Sequence, residues 1–293
     1  MGDYSSVYMR DEDVVVEGVR HLKWQHVFEC GQCFRWNEQN GNYTGVVGEK
    51  VLQVIQQGNN IALRGATMEE FKTFWSNYFD LNKDYSLIKK ALKKDNIMDK
   101  ALKFGFGIRI LQQDMWETII SFIISANNRI PMIKRTIERL CSTYGSPVEK
   151  WGRTFFTFPT PERLACLSEE DLALCGCGYR SEYIIETAKR VASSKFDLES
   201  IKNMDYREAR RTIMELPGVG PKVGDCILLF SGGKPEAFPI DVWIKRVMEY
   251  FYFPQGASMK RIYDFAIEYF GPLAGFAQQY LFYYARELGI GRK

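Results

Sequence analysis

The rhythm of hydrophobic and polar positions changes once along this 293-residue chain. Up to residue 106 the apolar positions come in short runs rich in β-branched and aromatic residues, most clearly in CFRWNEQNGNYTGVVGEKVLQVIQQGNNIALRG, residues 33–65. Asn40-Gly41-Asn42, Gly48-Glu49 and Gly58-Asn59-Asn60 interrupt those runs at hairpin spacing, which predicts an antiparallel meander. Thr67 with Glu70 makes a capping box for a short helix that carries Phe71, Phe74, Trp75 and Tyr78 on one side.

From Gly107 the period is helical and stays so. DMWETIISFIISANN (114–128) sets Trp116, Ile119, Ile120, Ile123 and Ile124 at helical spacing. Pro131 suits the first turn of the next helix, whose stripe is Ile133, Ile137 and Leu140. Ser168 with Asp171 opens a short helix ending near Gly176, another runs from Tyr179 to Ser193, and Asp205 with Glu208 caps the one leading into ELPGVG. Further helices are expected over 222–231, 242–252, 258–270 and 273–288. The predicted fold class is α+β: an N-terminal antiparallel β-sheet domain over 1–106, then a mostly helical region over 107–293.

Composition narrows this picture only slightly. Hydrophobic residues at 46% and charged ones at 26% are ordinary for a globular domain. No apolar run approaches the ~20 residues a bilayer span needs, and MGDYSSVYMRDEDVVVEG has no signal-peptide pattern. A cytoplasmic monomer is therefore expected, with no membrane partner. The net charge of +3 permits nucleic-acid binding without arguing for it. Seven cysteines, an odd number, read as reduced thiols. Cys30/Cys33 and Cys175/Cys177 are close pairs, but zinc prefers four ligands in characteristic spacings, so no metal site is expected.

The chemistry concentrates in Leu216-Pro217-Gly218-Val219-Gly220, a turn between two helices that reads as a helix-hairpin-helix. Its glycines permit φ > 0, and N–H groups at the following helix start lack intrahelical partners. Such N–H groups hold a phosphate oxygen well; a tight turn with no ligand is the plain alternative. Lys222 follows at once. A helix N-terminus and burial both disfavour its ammonium form, which would leave a nucleophilic amine; a phosphate-binding lysine would stay charged. Asp241, nineteen residues on, stands just before an amphipathic helix. It can be simply an N-cap, yet a carboxylate held ionised by backbone N–H groups also suits a cationic sugar transition state.

Hairpin, lysine, GDC and then PIDV together resemble the helix-hairpin-helix superfamily of base-excision DNA glycosylases. GQCFRW (31–36), SFIISANN (121–128) and AGFAQQYLFYYA (274–285) narrow the resemblance to the 8-oxoguanine DNA glycosylases. The resemblance implies a sheet domain beside two helical subdomains, with a damaged nucleotide flipped from duplex DNA into the cleft between them. It implies Lys222 as the nucleophile at C1′ and Asp241 as stabiliser of the oxocarbenium-like state, giving glycosylase plus AP lyase activity. Gly31 would accept from the N7–H that distinguishes the oxidised base, Cys226 and Phe282 would sandwich it, and Gln278 would bond its edge. Taken alone, Gly31 is a turn glycine and Phe282 a core aromatic. Asn127 would hold the cytosine left behind, where by itself it reads as a helix C-cap; Tyr179 and Arg180 would fill the vacated stack, where they otherwise start a helix. Gly218, Val219 and Gly220 would bind DNA phosphate.

Two positions depart from the family pattern. Met132 stands where an arginine commonly reads the opposite cytosine, and Trp243 where a histidine is common. No cysteine follows Cys226, so the four-cysteine iron–sulfur loop of endonuclease III-like relatives has no ligands here. No cofactor is expected, although such a hairpin can hold a structural alkali cation on its turn carbonyls. Two competing readings remain: a glycosylase of the same superfamily acting on alkylated bases, which would activate water and have no use for Lys222, and a DNA-binding module without catalysis. A DNA-repair enzyme would work in a prokaryotic cytoplasm or a eukaryotic nucleus.

Overall fold

The computed structural model describes residues 2–290; residue 1 and residues 291–293, the outer ends of the two expected domains, lie outside the described residues. Six antiparallel strands form one sheet: β1 (Ser6–Arg10), β2 (Asp13–Glu17), β3 (Trp36–Gln39), β4 (Asn42–Val47), β5 (Lys50–Gln57) and β6 (Asn60–Arg64), in the order β1-β2-β6-β5-β4-β3. The three expected turn clusters separate β3 to β6. Gly45 pairs with both Trp36 and Leu52, and a Cβ there would fall 2.5 Å from the Trp36 ring. The indole lies flat across the strand because that position has no side chain. Trp36 also stacks on Phe28 at 4.3 Å between centroids and donates to the Tyr78 hydroxyl at 3.0 Å, which fixes the start of β3.

The helices are α1 (Trp24–Phe28), α2 (Tyr85–Leu92), α3 (Asn96–Phe104), α4 (Met115–Ser125), α5 (Ile130–Tyr144), α6 (Pro161–Ala165) and α7 (Glu169–Cys175). They continue with α8 (Ser181–Ala192), α9 (Leu198–Asn203), α10 (Tyr206–Ile213), α11 (Pro221–Phe230), α12 (Val242–Phe251), α13 (Met259–Phe270) and α14 (Ala274–Leu288). Between β6 and α2 the Thr67–Glu70 capping box opens a helical stretch whose middle, Phe71–Trp75, is π-helical. Ser168 and Asp171 form their capping box, and Gly176 ends that helix at φ 93°. Asp205 accepts from the Glu208 N–H, as its spacing predicts.

Two hydrophobic cores result. One lies under the sheet, around Trp36, Leu52, Trp75 and Phe79. The other fills the helical region and takes in Tyr85, Leu92, Met98 and Leu102, so α2 and α3 pack with the helices that follow them. Arg109, fully buried, ties the two together: it donates to Asp3, to the Asp80 carbonyl at 2.6 Å and to the Arg20 carbonyl at 3.0 Å. One departure from the helical expectation is a two-stranded hairpin, β7 (Pro147–Lys150) with β8 (Arg153–Phe156), turned by Trp151 and Gly152 at positive φ.

Candidate active site

The hairpin is built as its residue types require. Gly218 sits at φ 78°, and a Cβ there would lie 2.9 Å from Tyr183, so both backbone and space call for glycine. The Val219 N–H closes the turn on the Leu216 carbonyl at 3.1 Å, and the Pro217 carbonyl accepts the Thr187 hydroxyl at 3.2 Å. Val219 therefore has no N–H to offer a phosphate. Among the described residues the N–H groups of Gly218, Gly220 and Lys222 make no hydrogen bond, and Pro221 occupies the first helical position. Behind the turn, buried Asp225 accepts from Tyr206 at 2.8 Å and from Arg210 Nε at 2.7 Å. That bond set staples α10 to α11 and fixes where α11 begins. Burial pushes the Asp225 carboxyl up, with Arg210 and Tyr206 acting against it.

From this helix start Lys222 reaches inward. Its Nζ lies 3.4 Å from Ser125 Oγ and 5.2 Å from the centroid of the Phe122 ring, both on α4. Ser125 donates its own proton to the Phe122 carbonyl at 2.8 Å, which leaves its oxygen as an acceptor toward Lys222. One turn further along α11 is Cys226, whose thiol burial pushes up to about 11 despite the nearby Lys222. The thiol is neutral and serves as a wall.

Asp241 caps α12, accepting the Ile244 N–H at 2.7 Å. Its carboxyl is nonetheless pushed above the ordinary aspartate range: desolvation outweighs the Ile244 bond and the attraction of Lys222. The Ile244 bond favours the ionised form, as the cap position leads one to expect. Burial was not visible in the spacing and acts in the opposite direction.

Opposite them stands α14, with Gln278 and Phe282 on one face. Gln278 is buried, and its Oε1 has no hydrogen-bond partner among the described residues. Such an acceptor is costly unless something occupies the space it faces. Gly31, in the loop between α1 and β3, has φ 83°, and a Cβ there would stand 3.3 Å from the Phe282 ring. Lys222, Asp241, Gly31, Cys226, Gln278 and Phe282 line one narrow cavity of about 50 Å³. Four separate stretches of chain thus converge where sequence placed all six. A larger groove of about 890 Å³, beside Trp24 and Tyr43, contains none of them.

The remaining site residues lie outside the cavity. Asn127, at φ 49°, follows the end of α4. Arg180 is buried and braces that turn, donating through Nε to the Ala126 carbonyl at 3.0 Å and through Nη2 to the Asn127 carbonyl at 3.3 Å. Its guanidinium lies 4.4 Å from the centre of the Tyr179 ring, and Tyr179 is the exposed member of the pair. Met132 is exposed in the first turn of α5. Among the described residues no group of three or more His, Cys, Asp or Glu side chains could hold a metal ion.

Sequence reasoning did not single out Phe122, Ser125 or Gln279. Phe122 and Ser125 are hidden in an almost wholly buried helix, where a serine and a phenylalanine look like packing. Gln279 carried a usable signal: two consecutive glutamines in a helix as apolar as α14 must find partners.

Residues 14–119 match the N-terminal domain of 8-oxoguanine DNA glycosylase, and residues 120–270 match the HhH-GPD superfamily of base excision DNA repair proteins. The 8-oxoguanine glycosylase/lyase of Clostridium acetobutylicum, solved with double-stranded DNA containing cytosine opposite 8-oxoguanine, is 45% identical. It superposes with a TM-score of 0.96 over 98% of this chain and 100% of that one. A probable N-glycosylase/DNA lyase of Methanothermobacter thermautotrophicus is 35% identical over 242 residues, 76% of each chain. The 3-methyladenine DNA glycosylase of Archaeoglobus fulgidus, at 21% identity and a TM-score of 0.79, shares the fold. By these matches the chain belongs to the 8-oxoguanine DNA glycosylase family of the helix-hairpin-helix base-excision repair superfamily.

Proposed function

We propose that this protein excises 8-oxoguanine from duplex DNA and then cleaves the strand at the same nucleotide. The observation that carries this reading is the convergence of an amine, a carboxylate and an unpartnered base-edge acceptor on one cavity, with Gly31 and Phe282 beside them. The Lys222 amine attacks C1′ of the flipped nucleotide as the C1′–N9 bond breaks, and the base departs with its electron pair and takes up a proton. Asp241 stabilises the positive charge that develops on the sugar. Ring opening leaves a Schiff base between Lys222 and C1′. Loss of a C2′ proton then expels the 3′ phosphate by β-elimination.

Recognition follows from the same groups. The Gly31 carbonyl accepts from N7–H, which guanine lacks; Phe282 and Cys226 flank the ring; Gln278 bonds its edge. Gly218 and Gly220 present N–H groups to a phosphate, Tyr179 fills the gap in the stack, and Asn127 holds the estranged cytosine. The scheme needs no cofactor, and it places the protein with DNA, in a prokaryotic cytoplasm or a eukaryotic nucleus.

Borohydride trapping tests the reading. Incubation with a duplex containing 8-oxoguanine is expected to give a covalent adduct, and Lys222→Gln to lower both trapping and excision by roughly three orders of magnitude or more. An alkylated-base glycosylase would release its base without any trapped species. A non-catalytic module would bind the duplex and release nothing.

A further inference from the structure

The loop that carries Gly31 is held in an unusual way. Of four consecutive carbonyls, three are taken by side chains from elsewhere: Glu29 O by Arg286 Nη2, Cys30 O by Gln279 Nε2 at 2.7 Å, and Gln32 O by Gln113 Nε2 at 2.8 Å. The Gly31 carbonyl, between the last two, receives no hydrogen bond among the described residues. The Gln32 side chain locks the loop from below. It is fully buried, donates to the Val27 and Arg109 carbonyls at 2.8 Å each, and accepts from the Leu111 N–H at 2.9 Å.

The holding groups come from the elements that carry the rest of the site. Gln279 and Arg286 form a stripe on α14 beside the one formed by Gln278 and Phe282. Gln113 is tied to α11, because its backbone N–H donates to the Phe230 carbonyl at 2.8 Å, at the far end of the helix that carries Lys222 in its first turn. The loop is thus registered against the helix that reads the base and against the helix that attacks the sugar.

We infer that Gln279 and Gln113 are positioning residues for lesion recognition, which aim the Gly31 carbonyl by occupying the carbonyls on either side of it. A single acceptor separates 8-oxoguanine from guanine through one hydrogen at N7, and its direction matters because a buried hydrogen bond weakens steeply with misalignment. Removal of the Gln279 amide leaves the buried Cys30 carbonyl without a partner. The loop then gains by turning that carbonyl elsewhere, and the peptide of Gly31 turns with it. Glycine at φ 83° does nothing to resist such a rotation.

The inference rests on the function proposed above, and one experiment separates the two. Excision of 8-oxoguanine and β-elimination at a preformed abasic site are measured for wild type, Gln279→Met and Gln113→Met, with thermal melting as a check on folding. The abasic substrate has no base to read. Each variant is expected to lose about tenfold or more in excision while its abasic-site cleavage stays within about twofold of wild type. Unchanged excision overturns the inference, and so does an equal fall in both activities. Failure of both variants to fold also overturns it, since the glutamines would then hold the fold and not the acceptor. Wild-type protein that leaves 8-oxoguanine in place overturns the proposed function itself.

Discussion

On the function proposed above, the cavity around Lys222 and the surface around Met132 face the two strands of one substrate, and they are constructed differently. In the cavity the polar groups other than Gln278, whose Oε1 has no partner among the described residues, are held by something behind them. Ser125 stands under Lys222, the Ile244 N–H under Asp241, and Gln279 and Gln113 flank the Gly31 carbonyl. At the surface, Met132 and Tyr179 are exposed. The buried guanidinium of Arg180 is committed to the carbonyls of Ala126, Asn127 and Cys177. A site that must tell two bases apart by one hydrogen requires fixed geometry. A surface that only fills a gap does not. On the proposed function, the difference predicts that discrimination is concentrated on the damaged base.

Asp241→Asn attacks the pre-organised side most directly. An asparagine still caps α12, since its side-chain oxygen accepts the Ile244 N–H equally well. The charge is lost and the geometry is kept. Excision should fall by about a hundred- to a thousandfold with duplex binding retained; a variant that unfolds would show that capping is the main role. The pH dependence gives an independent readout. Burial raises the Asp241 carboxyl above its ordinary value, so the free enzyme loses the ionised form at a higher pH than a typical aspartate would. The acid limb of kcat/KM should lie correspondingly high, and it should vanish in the asparagine variant. For stability the sign is reversed. A folded-state value raised above the unfolded one contributes stability that is present at low pH and lost as pH rises through the folded value. Above the folded-state value the wild type carries the destabilised carboxylate, and there Asp241→Asn should melt at the same temperature or higher.

Gly31→Ala is the next step down. The methyl group would stand 3.3 Å from Phe282 and force an L-residue into the left-handed region at φ 83°. The backbone penalty of about 1–2 kcal/mol should appear in melting. The methyl at the stacking ring should cost about tenfold or more in excision, more than it costs in abasic-site cleavage. Equal losses in the two activities would mean that the glycine serves the loop alone.

Local chemistry explains what the sequence revealed and what it hid. The hairpin, the caps at Ser168, Asp205 and Asp241, and strands β3 to β6 are set by residues close together in the chain, so their signals are complete within a short window. The hairpin of β7 and β8 was missed because its strands are four residues each and bury no position fully, with no apolar alternation to announce them. Helices α2 and α3 were overlooked within a region whose strands dominate the pattern, although Asp84 and Asp95 cap them in the usual way. The six cavity residues were legible through family resemblance. Their support was not: Gln279 meets Cys30 across 249 residues of chain, and no local period encodes such a contact. The burial that raises Asp241 is likewise a property of packed neighbours.

The smallest expected effect lies on the permissive side. A bidentate arginine–base pair contributes about 1–3 kcal/mol of discrimination, and the thioether of Met132 can donate no hydrogen bond. Arg180 is braced against backbone and cannot be redirected without giving up its bonds to three carbonyls. Excision of 8-oxoguanine opposite each of the four bases should therefore vary by no more than about fivefold. Met132→Arg should restore a preference for cytosine without changing the rate at abasic sites. A wild-type protein that strongly prefers cytosine would place the opposite-base reader elsewhere on this surface, and Asn127 would be the residue to substitute next. Because Met132 is exposed and does not line the cavity, the arginine variant changes only one side of the contrast. A loss of 8-oxoguanine excision in that variant would mean that the two faces are coupled through α4 and α5, and the separation drawn between them would have to be abandoned.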